Sequence, residues 1–384
     1  MSLKYTIDDL FQADILEAID LPELADTPSF QDVGGEFQSG QYVGGQANFQ
    51  DVKIGGTTTQ YTVNNSGIFS FGDGSDGAGV ADGSTALAGA SLASNVYTLT
   101  RDVYYTDLTV STGITIKPSG YRIFGTGTLT LNGTAIISRN GNVGGTGGTG
   151  EGGQATGGAA LADGYLKGSV AGANSSNPGN GTGGDSPGVA GVNGTATSNS
   201  IGSSGTAGGT GGNGAGGGAG GAGGSGGVAT AANVSLIANW HLATLLDVSS
   251  TGSSVKFDNS AGAASGGSGG GFQRGAGGAG GSGGGIIAIY FRSIVIGASA
   301  SIIANGGNGG GGGAGSSSGG GGGGGSGGNG GQIILVYNTL TNKGSFAVNG
   351  GSAGSGGSVS GTGAGGSAGT AGSAGSIRQF QISL

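Results

Sequence analysis

The chain has 384 residues, 103 of them glycine, with five prolines, no cysteine and a formal net charge of −8. The missing cysteines exclude disulfides and thiolate chemistry. Tracts reading G-G-x rather than G-X-Y exclude collagen, and no basic stripe offers a nucleic-acid interface. Charged residues make up only 8% and hydrophobic ones 34%. Gly plus Pro at this level normally suggests low complexity or disorder, but disordered chains are usually polar and highly charged, and this one is neither. The charge is uneven: residues 1–138 hold 15 acids and 5 bases, while residues 139–384 hold 5 acids and 7 bases. An acidic N-terminal part fits docking onto a protein partner, and equally fits a merely solubilising charge.

Residues 6–20 read as the one helix. Ile7, Leu10, Phe11, Ile15 and Ile19 recur at helical spacing and give an apolar face. Thr6 is placed to cap it, and Pro22 and Pro28 stop it. A helix this short is marginal alone, so the face is expected to anchor the chain to a partner. With Asp8, Asp9, Asp14 and Glu17 in the same stretch, no secretory signal peptide is expected. No apolar run of about 18 residues predicts a membrane span.

Residues 30–56 repeat Phe30-Gln31-Asp32-Val33-Gly34-Gly35 as Phe49-Gln50-Asp51-Val52, ending in Gly55-Gly56. They read as a strand-rich connector, so residues 1–60 form an anchoring region. A strand is expected over 61–71 and a polar, flexible stretch over 72–95. The run Asp73-Gly74-Ser75-Asp76-Gly77 with Asp82 reads as an acidic turn, because a calcium loop needs further oxygen ligands. Short β-branched and aromatic runs follow at Val96–Thr100, Val103–Val110, Ile114–Ile116, Tyr121–Phe124, Thr128–Leu131 and Ala135–Ile137. Their spacing suits a sandwich, a barrel or the rungs of a solenoid, and residues 61–138 read as a β-strand domain.

From residue 139 glycine tracts alternate with apolar segments at Val234–Val248, Ile286–Ile303, Gln332–Val348 and Ile377–Leu384. Ile286-Ile287-Ala288-Ile289-Tyr290 returns as Ile333-Ile334-Leu335-Val336-Tyr337, and each copy leads through a second strand to Asn305-Gly306-Gly307 or Asn349-Gly350-Gly351. The unit is strand, strand, Asn-Gly, glycine excursion and return. Within the tracts the rhythm is three residues, as in Gly217-Gly218-Ala219-Gly220-Gly221-Ala222. An extended helix of the polyproline II type also has three residues per turn. Glycine at two of every three positions would let such backbones approach and hydrogen-bond laterally. Ordering each residue costs about 1–2 kcal/mol, so the tracts are expected to order only as a bundle pinned at both ends by the strands, the alternative being loose loops between the strands of a β domain. Residues 139–384 therefore read as a glycine-rich domain with interleaved strand pairs. The fold class expected is all-β with extended polyglycine-II-type helices and one short N-terminal helix.

Little suggests chemistry. His241 is the only histidine and stands beside the only tryptophan, Trp240. The many G-x-G-x-x-G matches open no helix after a strand and are noise. No enzyme, cofactor or metal site is expected. Recognition residues sit on loops carried by a scaffold, and aromatic and arginine side chains dominate such contacts. The interruption at 161–204 offers Tyr165, Lys167 and Asp185, and that at 272–274 offers Phe272 and Arg274. These are candidate receptor contacts, or equally bulky plugs where tracts turn.

The stretch from Tyr97 through Arg101-Asp102-Val103-Tyr104-Tyr105 to Val110, continuing to Gly120-Tyr121-Arg122-Ile123-Phe124, resembles a segment of glycine-rich virion proteins of tailed phages. The Asn-Gly-Gly tracts resemble those of tail-fibre tip adhesins, whose polyglycine helices pack as a lattice. The resemblance covers 95–384, and the N-terminal helix and connector depart from the tip adhesins. It implies a virion location, an attachment to other virion proteins through the N-terminal part, a host-surface receptor of protein or glycan, and a homo-oligomer, a trimer by analogy. It leaves open a head fibre or capsid decoration protein without a receptor role, or a bacterial surface structural protein.

Overall fold

The computed structural model describes residues 71–150, 153–176, 188–194, 206–214, 222–226, 274–316, 319–359 and 361–382, with short pieces at 197–200, 219, 229–231, 249–250 and 253–254. The expected helix at 6–20 with Ile7, Leu10, Phe11, Ile15 and Ile19, the connector and the segment around Trp240 lie outside the described residues, as does all of the strand expected over 61–71 except Phe71, which is not in a strand. Residues 69–384 form one compact unit, and it is all-β where described.

Seven strands come first: β1 (Gly77–Ala81), β2 (Ala90–Ala93), β3 (Val96–Leu99), β4 (Val103–Val110), β5 (Thr115–Lys117), β6 (Ile123–Leu131) and β7 (Ile136–Ser138). Short pieces β8 (Thr197–Ser200) and β9 (Ala229–Ala231) pair in parallel, and β10 (Ser249–Ser250) with β11 (Ser253–Ser254) antiparallel. The last five are β12 (Ile286–Ile296), β13 (Ser301–Ile303), β14 (Gln332–Asn342), β15 (Ser345–Ala347) and β16 (Ser376–Gln381). The main strands make two six-stranded sheets, β1-β4-β6-β12-β14-β16 and β15-β13-β7-β5-β3-β2. Every pairing in them is parallel except β2 with β3.

From β4 onward successive strands, β8–β11 apart, alternate between the two sheets. The chain therefore coils, each turn laying one long and one short strand on the turn before. Of the architectures open to the sequence, the coil is the one adopted. Residues 72–95 are not a loose linker, since β1 and β2 form there as strands at the sheet margins; tertiary pairing overrides weak local propensity. The two runs expected at 121–124 and 128–131 are one strand, β6, whose register against β4 and β12 shifts at its middle. The sequence break at 138/139 is no break in hydrogen bonding, because β6 pairs with β12 and β7 with β13.

The core lies between the sheets. It stacks like on like along the coil: Val103, Ile123, Ile289 and Leu335 stand in register, as do Leu108, Leu129, Ile294 and Leu340. Gly125 is paired with Phe291, and a Cβ there would come 1.9 Å from the Phe291 ring. Glycine thus makes room for the largest inward ring of β12. A second buried cluster covers the outer face of the long-strand sheet, with Phe71, Phe124, Leu166, Ile286, Ala288, Tyr290, Ile334 and Val336. Strand β12 begins Ile-Ile-Ala-Ile-Tyr-Phe with every side chain buried, the continuous apolar run of a parallel strand covered on both faces.

The glycine tracts extend both sheets. Tracts 139–150, 305–316 and 349–359 leave β7, β13 and β15, and neighbour one another in that strand order. Tracts 274–285, 319–331 and 361–375 lead into β12, β14 and β16, again in order. Within the first row, Gly306, Gly309, Gly312 and Gly315 donate backbone N–H bonds to Asn349, Ser352, Ser355 and Ser358. Between the rows, Gly322, Gly325, Gly328 and Gly331 donate to Gly313, Gly310, Gly307 and Ala304. The spacing is three residues in both directions, parallel within a row and antiparallel across rows.

Every residue from 274 to 291 and from 319 to 336 is buried. The stretch 319–331 places no apolar side chain in that interior; its backbone groups bond tract to tract, as buried amides must. No described glycine after Gly150 has a positive φ. Glycine is needed there for the room it leaves, not for a left-handed backbone.

The Asn-Gly boundaries explain themselves in this packing. Asn140 Oδ1 accepts from Asn305 N at 2.7 Å, and Asn305 Oδ1 accepts from Asn349 N at 2.8 Å. Each asparagine satisfies the backbone N–H at the equivalent position one coil turn on. Asn308 does the same for Ser352 N, and Asn329 for Ser373 N.

Candidate functional site

Of the five residues expected to meet a receptor, two stand on a described loop. Asp185 and Phe272 lie outside the described residues. Arg274 is 2% exposed, which withdraws it from the displayed set. Tyr165 and Lys167 are half-buried on the loop 161–168, which interrupts the tract pattern beside the long-strand sheet.

That loop is held from both sides. The Arg139 guanidinium donates to the carbonyls of Ala162 (2.9 Å), Lys167 (3.3 Å) and Ile286 (3.1 Å). Burial pulls its pKa down to about 10, with the charge of Asp163 opposing, so it stays charged at neutral pH. Leu166 N donates to Gly120 O at 2.7 Å, and its side chain joins the outer apolar cluster. Asp163 Oδ1 accepts from Gly168 N at 2.7 Å and closes the loop. The turn at Gly120 has φ +92°, and a Cβ there would fall 2.6 Å from Gly164 N. Only glycine lets the two loops meet.

Under the loop runs a network of charge and aromatic rings. The Arg122 guanidinium carbon sits 3.3 Å from the Tyr165 ring centroid and 5.1 Å from that of Phe124. Asp102 holds Arg122 through Nε at 2.8 Å and through the Arg122 backbone N at 2.8 Å. Arg101 pairs with Asp76, which also accepts from Tyr104 N at 2.7 Å. The Arg101 hydrogen bond leads in holding the Asp76 carboxyl below its ordinary value, helped by Tyr104 N and opposed by burial. Tyr104, Phe124 and Tyr290 stack along successive long strands, with centroids 4.9 and 4.7 Å apart. Burial, then the Asp102 charge, raises the Tyr104 phenol, so it remains a neutral hydrogen-bonding group.

Arg101, Asp102, Tyr104, Tyr121, Asp163, Gly164 and Tyr165 line an open cleft between this ladder and the loop. The structure thus gives Tyr165 a setting that sequence reading did not. Tyr104, Tyr121 and Arg122 were visible only as parts of strand runs, and Arg101 and Asp102 only between two of them. The usable signal was the Arg-Asp pair between two apolar runs, in a chain with so few charges. Lys167 contributes its backbone carbonyl to Arg139 and does not line the cleft. Among the described residues no group of three or more His, Asp or Glu side chains is placed to hold a metal ion. Compared with known proteins, the chain matches no family model, no curated protein and no solved structure.

Proposed function

We propose that this is a non-catalytic structural protein of a phage virion, an adhesin of the tail-fibre class that displays recognition loops on a stiff glycine-rich scaffold. Its glycine tracts are extended three-fold helices of the polyglycine II type. The observation that carries the reading is the buried interior of 274–285 and 319–331, laterally bonded at every third residue with hardly any side chain. Such packing is dense and directionally fixed, and coil and tracts share one register. It suits a part that must hold its shape outside a cell while presenting a surface. The cleft beside the loop 161–168 is the recognition surface among the described residues, and the acidic N-terminal part attaches the chain to other virion proteins.

The test is direct. Immunogold labelling should find the chain on the outside of virions whose genome encodes it. The purified chain should adsorb to host cells and compete with phage adsorption. Labelling at the capsid with no competition would favour the decoration reading. No label on any virion would overturn both and leave a bacterial surface protein.

A further inference from the structure

We infer that the cleft between Tyr104, Tyr121 and Tyr165 is a subsite for a neutral sugar residue. The inference rests on the display reading above and names the ligand chemistry of that surface. Three tyrosines line the cleft together with two carboxylates, Asp102 and Asp163, and the guanidinium of Arg101. Aromatic rings flanked by hydrogen-bonding groups suit a ligand with apolar C–H faces and a belt of hydroxyls. A carboxylate accepts from hydroxyls, and a guanidinium or phenol donates to them.

Charge decides against the other ligands such rings attract. A cage of tyrosines and acids would suit a quaternary ammonium group. Here that role is filled from within, because Arg122 already lies over the Tyr165 ring at 3.3 Å. An anionic group would face the carboxylates of Asp102 and Asp163, and the guanidinium groups nearby are already engaged: Arg101 with Asp76, Arg122 with Asp102, and Arg139 with three backbone carbonyls. A neutral polyol meets neither penalty. The site is also preorganised. Tyr165 is fixed between Arg122 and a loop tied down by Arg139, and Tyr104 is stacked on Phe124. Little ordering cost remains for binding.

The experiment uses the full chain and methyl glycosides of the common neutral hexoses, with choline and hexuronates alongside, followed by saturation-transfer NMR and titration. One or more neutral hexosides should bind with a Kd of about 1 mM, and choline and hexuronates should not compete. Tyr165→Ala and Asp163→Asn should each weaken binding at least about tenfold. Asp163→Asn keeps an acceptor for Gly168 N, so the loop should stay in place, with only a small drop in thermal stability from the lost attraction to Arg139. Failure of every neutral hexoside at about 10 mM would overturn the inference, as would binding unchanged in both variants. Cell adsorption separates the two levels. Adsorption that survives periodate oxidation of the cells, with no hexoside bound, removes the sugar subsite and leaves the display reading standing. Hexoside binding without cell adsorption does the reverse.

Discussion

A single methyl group in the glycine interior tests the scaffold most sharply. Gly325 lies in the buried tract 319–331, and its N–H donates to Gly310 O at 2.8 Å. A Cβ on Gly325 would sit 2.0 Å from Ala279 O and 2.4 Å from Ala279 C. Backbone is on both sides, so no flexible side chain can swing away. To restore a normal contact, tracts 274–285 and 319–331 must part by about 1 Å. The flanking bonds Gly278 N to Gly323 O (2.8 Å) and Gly281 N to Ser326 O (2.9 Å) then exceed hydrogen-bond length. Two buried donors and two buried acceptors left unpaired cost about 4 kcal/mol or more together. Alanine returns about 0.4–1 kcal/mol by restricting the unfolded chain. Gly325→Ala should therefore lower stability by about 3 kcal/mol, read as a lower urea midpoint with accelerated amide exchange at Gly278 and Gly281. The control is Gly153→Ala, where no atom lies within 4 Å of the added carbon; it should leave stability unchanged or slightly raised. If both variants unfold alike, the tracts are not a packed solid.

Three further outcomes follow from the same contacts. Asn305→Ala removes the acceptor of Asn349 N and should cost about 1–2 kcal/mol, with faster exchange at the Asn349 amide, while Asn305→Asp should keep that amide protected. Arg139→Met strips the Ala162, Lys167 and Ile286 carbonyls of their donor. Limited proteolysis should then cut within 161–168 while the sheets remain cooperative, and an uncut loop would refute its positioning role. Asp76 has a folded pKa below its unfolded value, so its contribution is present above about pH 4 and lost as pH falls through the lowered value. Asp76→Asn should flatten the acid side of the stability curve, and an unchanged acid limb would deny the Arg101 and Tyr104 contacts their weight.

Much of the scaffold was legible before any coordinates. The run Val103–Val110 is β4 as read, and the repeated Ile286–Tyr290 and Ile333–Tyr337 segments are neighbours β12 and β14, but the pairing is one residue off the sequence repeat, with Ile287 opposite Ile333 and Phe291 opposite Tyr337. Strand runs could be read because β-branched and aromatic residues need a pleated, buried surface wherever it lies. Asn305 and Asn349 marked unit ends because a short amide can satisfy one backbone N–H on the next turn. Weak segments were misread for the same reason in reverse: Gly77–Ala81 carries little propensity and becomes strand β1 only because β4 offers an edge.

The amino-acid sequence determined by itself where the strongly apolar strands form, where units end, and that a side chain recurs at every third place of the glycine tracts. Only the tertiary structure decided that the strands alternate between two parallel sheets, that residues on either side of 138 share them, and which tract lies against which. It also brought Tyr165 to Arg122 and Arg101 to Asp76. The physical reason is degeneracy: one glycine tract offers any other the same bare backbone, so nothing local distinguishes partners. The choice is made by the stacked core, where Ile289 must meet Ile123 and Phe291 must meet Gly125, and the tracts and the cleft inherit the register that this burial fixes.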